Sequence, residues 1–169
     1  MGSEVASDDG WVLQSSTTAD IDALMRWFPR KEDVQIWGGP TFTYPFSRET
    51  FYKDIHWGRM ESYSLFDTEG MFSAFGQLYL RQRRIHLARL VAEPAKRGQG
   101  VGKRLIKMLM DVGTSLFESN EFSLFVFRDN VPAYECYKSL GFVMGDYPED
   151  MPYSDVCFFL TRPHELEET

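Results

Sequence analysis

Little in this chain invites a metal, a disulfide or a membrane. Its 169 residues include two cysteines, Cys136 and Cys157, and three histidines. None of these stands at metal-ligand spacing, so no metal site is expected. Two cysteines in a domain of this size need no disulfide, and a reducing compartment is the default. No apolar run is long enough to span a bilayer, and the N-terminus lacks the apolar core of a signal peptide. No membrane partner is therefore expected, and the expected location is cytoplasmic. Basic residues are also scarce, 18 against 25 acidic, for a net charge of −7. General nucleic-acid binding needs a basic face to neutralise phosphates, so nucleic acid is not an expected partner. The acidic balance is compatible with cationic substrates without requiring them.

What the chain does have suits one domain with a sizeable core. Residues 1–10 are small, polar and acidic and are expected to be disordered. A single domain is expected over 11–163, with a solvated tail over 164–169. Trp11 to Ser15 reads as a first strand. Thr17 and Asp20 form a capping arrangement for a helix through Ile21, Leu24, Met25 and Phe28, ended by Pro29. Lys31 to Trp37 suits another helical turn or two, and Ser47 caps a helix through Phe51, Tyr52 and Ile55. Residues 62–67 and 71–80 read as strands joined by a turn, with Gly76 marking a bulge or a close backbone approach. A third strand, 85–92, completes an antiparallel meander. Residues 122–127 form a buried strand. Asn130 then caps a helix that carries Pro132 in its first turn and stops at Gly141. Two last strands, 142–147 and 153–161, flank an acidic turn. The element order β-α-α-β-β-β-α-β-α-β-β is that of a mixed α/β layer sandwich.

One stretch carries chemistry. Between the strand 85–92 and an amphipathic helix lies Arg97-Gly98-Gln99-Gly100-Val101-Gly102-Lys103. The first amides of a helix lack internal partners, and the helix dipole adds partial positive charge there. Glycine lets a phosphate approach that backbone, and Lys96, Arg97, Lys103 and Arg104 add charge around it. The alternative is a plain glycine-rich β-to-α turn. The dinucleotide fingerprint G-x-G-x-x-G fails on spacing, and a Walker loop fails because Arg97 stands at its first glycine and Arg104 follows Lys103.

The stretch resembles the central [RQ]-x-x-G-x-[GA] motif of the GCN5-related N-acetyltransferase (GNAT) superfamily, matched by Arg97, Gly100 and Gly102. A second motif of that family follows in order: Asn130 after a strand, then a helix with Ala133 and Tyr137 that ends in Gly141-Phe142. The resemblance spans about Ile85 to Val143. It implies a GNAT-like α/β fold, with a mixed, mostly antiparallel sheet flanked by helices and splayed at its central strands. It also implies acetyl-CoA as donor and no metal. The loop amides Gly98, Gln99, Gly100, Val101, Gly102 and Lys103 would hold the CoA pyrophosphate, with Arg97 beside them. Leu90, Val91 and Ala92 would pair with the pantetheine arm, Asn130 would bond its amides, and Tyr137 would point at the thioester sulfur.

The implied reaction is transfer of acetyl from acetyl-CoA to a primary amine by direct attack in a ternary complex. A phenol with an ordinary pKa of about 10 stays protonated at neutral pH and can hydrogen-bond a leaving thiolate. For the base, His86 occupies the position of a family glutamate, and imidazole titrates in the useful range. Glu93 and a water chain are the alternatives. Strand alternation puts Arg89 on the opposite face from His86. The aromatic segment Trp37, Phe42, Tyr44 and Phe46 is a candidate acceptor wall, able to hold a cation over its rings. The resemblance implies that the hairpin between the last two strands, Pro148 to Tyr153 with the acidic Glu149 and Asp150, forms the other wall. A small amine, an amino acid or a protein N-terminus fits this pattern, and a homodimer is compatible with it. The competing reading is a catalytically silent CoA-binding sensor or scaffold.

Overall fold

A computed structural model describes residues 4–163 of the chain. Its elements are β1 (Glu4–Asp8), β2 (Trp11–Ser15), α1 (Thr18–Met25), α2 (Lys31–Gly38) and α3 (Arg48–Asp54). They continue with β3 (Glu61–Phe66), β4 (Phe72–Arg81), β5 (Arg84–Ala92) and α4 (Val101–Leu116). The last are β6 (Phe122–Phe127), α5 (Val131–Ser139), β7 (Val143–Met144) and β8 (Cys157–Arg162). The strands form one sheet in the order β1-β2-β3-β4-β5-β6-β8-β7. Only the β5–β6 pairing is parallel. Among the described residues, no helix is long and apolar enough to cross a membrane.

The helix starts follow from local chemistry. Thr17 and Ser47 each accept the backbone N–H three residues on, and Asp20 and Thr50 return the bond to the cap. Each reciprocal pair satisfies two amides that the helix cannot. Helices α1 to α3 cover one face of the sheet, and α4 and α5 cover the other. Strand alternation shows this on β4: Ala74 and Leu78 join the core under α4, whereas Phe75 joins Ile21, Leu24, Phe28 and Phe51 on the opposite side.

Two irregularities in β5 shape the centre of the sheet. Phe75 faces Val91, but Gln77 faces Ala88, so β5 carries an extra residue opposite Gly76. Arg89 lies there at φ 49. This is a β-bulge. On its other edge β5 pairs with β6 only at Ile85↔Phe122 and His86↔Ser123. Beyond that point the two strands part, as the family resemblance implies.

Three expectations need correction. Residues 4–8, expected to be disordered, form an edge strand from Glu4↔Gln14 to Asp8↔Trp11. Main-chain bonding at a sheet edge does not need apolar side chains, so the polar composition did not preclude it. The strand expected over 142–147 is reduced to Val143–Met144, and its partner begins only at Cys157. Arg89 and His86 do not face opposite ways, because the bulge inserts a residue between them. Residues 1–3 and the expected tail at 164–169 lie outside the described residues.

Gly76 also fills the close-approach role. A Cβ there would stand 2.7 Å from Leu109 Cδ1 and 2.9 Å from Leu90 Cδ2. Gly76→Val should therefore destabilise the fold by about 1–3 kcal/mol through overpacking. Urea unfolding would check this, and an unchanged midpoint would remove the close-packing role of Gly76.

Candidate active site

The cradle begins with a short 3₁₀ turn at Pro94–Lys96 and ends at the start of α4. Gly98 and Gly100 both adopt φ 79, a left-handed conformation that glycine takes without a Cβ penalty. The first intrahelical bond of α4 runs from Arg104 N–H to the Gly100 carbonyl, 3.1 Å. The amides of Val101, Gly102 and Lys103 precede it and are left for a ligand. A Cβ on Gly98, Gly100 or Gly102 would meet nothing within 4 Å, so space beside this backbone is open. Those observations fit a pyrophosphate group. The Val101 side chain is buried, so that residue can contribute only its backbone.

The four basic side chains divide into two pairs. Lys96 Nζ donates to Asp67 Oδ2 at 2.8 Å and Ser73 Oγ at 2.6 Å, which ties the loop to the β3–β4 turn. Arg104 donates to Asp8 Oδ2 at 2.8 Å and lies over the Trp11 ring. Arg97 and Lys103 have no carboxylate within 4.0 Å among the described residues. The charge available to a phosphate therefore comes from Arg97 and Lys103.

Asn130 caps α5, its Oδ1 accepting the Ala133 N–H at 3.4 Å. That bond uses the acceptor end of the amide and leaves its N–H groups to donate. Leu90, Ala92, Ala133 and Tyr137 border one core, on the α4 side of the parted strands. Val91 packs on the other face. The Tyr137 ring meets Phe142 edge-on at 6.2 Å. Burial pushes its phenol well above the ordinary range, so it remains protonated at neutral pH.

His86 does not have the setting of a general base. It is 3% exposed and packed between the rings of Tyr79 and Phe125. Its Nδ1 lies 2.8 Å from Ser123 Oγ. Burial, reinforced by the charges of Arg81 and Arg89, holds its pKa down to about 3. A base that weak has little driving force to take a proton near pH 7. Glu93 lies 3.8 Å from Lys96 and belongs to that loop anchor.

The aromatic segment packs against the core under α1 to α3, with Phe42 buried, Trp37 and Phe46 half-buried and Tyr44 exposed. Trp37 stacks on Phe28 and Phe51, and its indole N–H donates to the Arg89 carbonyl at 2.8 Å. Tyr44 is turned away, its hydroxyl donating to the Pro29 carbonyl at 3.2 Å. Phe42 is 4% exposed, yet it lines a cavity of about 290 Å³ with Lys53, Asp54, His56, Arg59 and Arg89. Asp150, on the other expected wall, is paired with Arg81 at 3.1 Å. Sequence reasoning missed the charged lining of this cavity. Residues 53–59 carried only a helix-end signal, and the bulge reversed the face assigned to Arg89. Among the described residues, no group of three or more His, Cys, Asp or Glu side chains could hold a metal ion.

Comparisons with known proteins bear on the family and the fold. The model of the acetyltransferase (GNAT) family matches residues 31–142. An N-acetyltransferase 9-like protein from Nematostella vectensis is 34% identical over 61 residues, which is 34% of this chain and 31% of that protein. The match thus spans about a third of that relative's length. A spermidine N-acetyltransferase from Vibrio cholerae, solved in complex with CoA and spermine, superposes with a TM-score of 0.70 at 16% identity. That superposition covers 91% of this chain and 95% of the other. The ribosomal-protein-S18-alanine N-acetyltransferase from Escherichia coli gives 0.63 at 19% identity, covering 94% and 98%. At these identities the structural likeness concerns the fold.

Two measurements test the site. Gly102 has no positive φ and an open Cβ direction. If the loop holds the CoA pyrophosphate, Gly102→Glu should keep stability within about 1 kcal/mol while weakening acetyl-CoA binding at least about hundredfold, by putting a carboxylate into the cradle. Calorimetric titration reads this, and unchanged affinity would remove the loop assignment. His86 supplies a pH signature. Its pKa is about 3 folded against 6.5 for the free group. Its contribution to stability is therefore complete above about pH 6.5 and is lost as pH falls towards 3, by up to about 1.4 kcal/mol per unit. His86→Gln should flatten the loss of stability between pH 7 and pH 5 in urea melts. An identical slope in both proteins would show that His86 is not held neutral.

Proposed function

The chain belongs to the acetyltransferase (GNAT) family, and from that premise we propose that it is an acetyl-CoA-dependent N-acetyltransferase acting on a primary amine by direct attack in a ternary complex. The observation that carries the reading is the parting of β5 from β6 after His86↔Ser123, with the glycine cradle at the end of the strand that parts. A backbone edge left unpaired inside a sheet is costly unless a ligand pairs with it.

In this reading Leu90, Val91 and Ala92 offer main-chain bonds to the pantetheine arm. The amides from Gly98 to Lys103 hold the pyrophosphate, with Arg97 and Lys103 as counter-charges. Asn130 donates from its side-chain amide, and Ala133 leaves room beside it. Acetyl-CoA supplies an acyl group already activated as a thioester. A neutral amine attacks the acyl carbon, the C–S bond breaks, and the surplus amine proton leaves to water. Tyr137 donates a hydrogen bond to the departing sulfur. Its raised pKa keeps that proton in place and favours hydrogen bonding over full transfer.

Thiol release from acetyl-CoA, measured across a panel of amines, tests the reading. Release with at least one amine is expected, and tight CoA binding without release across the panel would replace the enzyme with a sensor or scaffold. Tyr137→Phe should lower kcat by about 10²-fold or more with the acetyl-CoA KM within about threefold. Full activity in that variant would remove the acid role.

A further inference from the structure

The cavity bounded by Phe42, Lys53, Asp54, His56, Arg59 and Arg89 has a charge opposite to that of the protein as a whole. It opens beside the β5 bulge, one residue before Leu90. Three of its side chains are cationic and one is a carboxylate. Asp54 already accepts the Thr43 N–H at 2.8 Å through Oδ2. Lys53, Arg59 and Arg89 have no carboxylate within 4.0 Å among the described residues.

Arg89 is the best-held of the three. The bulge fixes its backbone at φ 49, and its carbonyl accepts the Trp37 indole N–H. Its Nη1 donates to Gln77 Oε1 at 3.0 Å. Gln77 is itself fully buried and oriented by Nε2, which donates to the Ile55 carbonyl at 2.7 Å and Ser62 Oγ at 2.9 Å. Gln77 therefore has one way to face, with its oxygen towards Arg89. The guanidinium Nε is buried with no partner. Asp54 acts on it only through space, and a guanidinium held in place, partly desolvated and with no carboxylate within 4.0 Å is a poor structural element and a good carboxylate receptor.

We infer that this cavity recognises the acceptor through a carboxylate bound by Arg89, so that the acceptor is a small amino-acid-type amine and not a polyamine. The inference rests on the acetyltransferase reading for the identity of the amine, but the carboxylate site can be tested without it. A cavity of about 290 Å³ suits a molecule of amino-acid size. Polyamines carry several positive charges, and cationic walls disfavour them. His56 agrees with a cationic setting, because burial and the charges of Arg89 and Arg59 lower its pKa and leave the imidazole neutral. The spermidine enzyme with a similar fold shares only 16% of its residues with this chain, so its acceptor does not transfer.

The test compares each of several α-amino acids with its own carboxamide, and with spermidine, as acceptors for the full-length protein. The expected result is kcat/KM at least about tenfold higher for the acid than for the amide, with spermidine poorest. Arg89→Gln should raise the KM for the acid and bring the acid-to-amide ratio towards one. Arg59→Gln, at an exposed rim position, should narrow the ratio in the same direction and serves where Arg89→Gln fails to fold. Equal use of acid and amide, or preference for spermidine, would overturn the carboxylate site while leaving acetyl transfer intact. If no amine supports thiol release, calorimetric titration with N-acetyl amino acids decides the point. Binding that is lost in either variant supports the carboxylate site although the transferase reading has failed, and absence of binding to the unmodified protein overturns it.

Discussion

A strand in the middle of a sheet must hydrogen-bond along both edges, and β5 does so with β6 at only two positions before the strands part. The same strand takes an extra residue against β4 at Arg89. The bulge and the gap lie on opposite edges of one short segment, and in the proposed function together they would make a structural strand a ligand-binding one. Gly76 makes the arrangement possible from the other side, because α4 and Leu90 close over a position with no Cβ. The cradle then follows from the path of the chain: β5 ends, a single 3₁₀ turn reverses it, and α4 begins with its free amides beside the gap.

The basic residues around that strand fall into those that hold the protein and those available to a ligand. Lys96 and Arg104 are engaged by Asp67 and Asp8, and Arg81 by Asp150. Arg97, Lys103 and Arg89 have no such anion among the described residues. In a chain with net charge −7 there are acids enough to neutralise all of them. Leaving particular cations unpaired is therefore informative in a way that the total charge is not. The net charge is compatible with cationic substrates without requiring them, whereas the local charge around the cavity favours an anionic group.

Signals that depend on neighbouring residues were legible in the sequence. The reciprocal caps at Thr17 and Ser47, the cap at Asn130 and the helix stop at Gly141 are set by chemistry within three or four positions. Signals that depend on register were not. One bulge residue is enough to move Arg89 to the face occupied by His86, because strand faces alternate with period two. The depth of burial at His86 depends on Tyr79 of β4 and on Ser123 and Phe125 of β6, two strands other than its own. The aromatic segment around Trp37 could be read as a pocket wall because rings suit either use. Trp37 stacks on Phe28 and Phe51 at the edge of the core, and of the four rings Phe42 lines the cavity.

With His86 enclosed and Glu93 tied to Lys96, the acceptor amine must lose its proton by other means. Cationic walls favour the uncharged form of an amine placed among them, and each unit of pKa depression raises the neutral fraction about tenfold near neutral pH. In the proposed arrangement the acceptor carboxylate meets Arg89, while Lys53 and Arg59 continue to disfavour a second positive charge. The lining proposed to select the substrate by its carboxylate would then also help to deliver its nitrogen unprotonated, with no dedicated base. Such a site would use pre-set electrostatics in place of a proton-accepting side chain, and Tyr137 would act only on the departing sulfur.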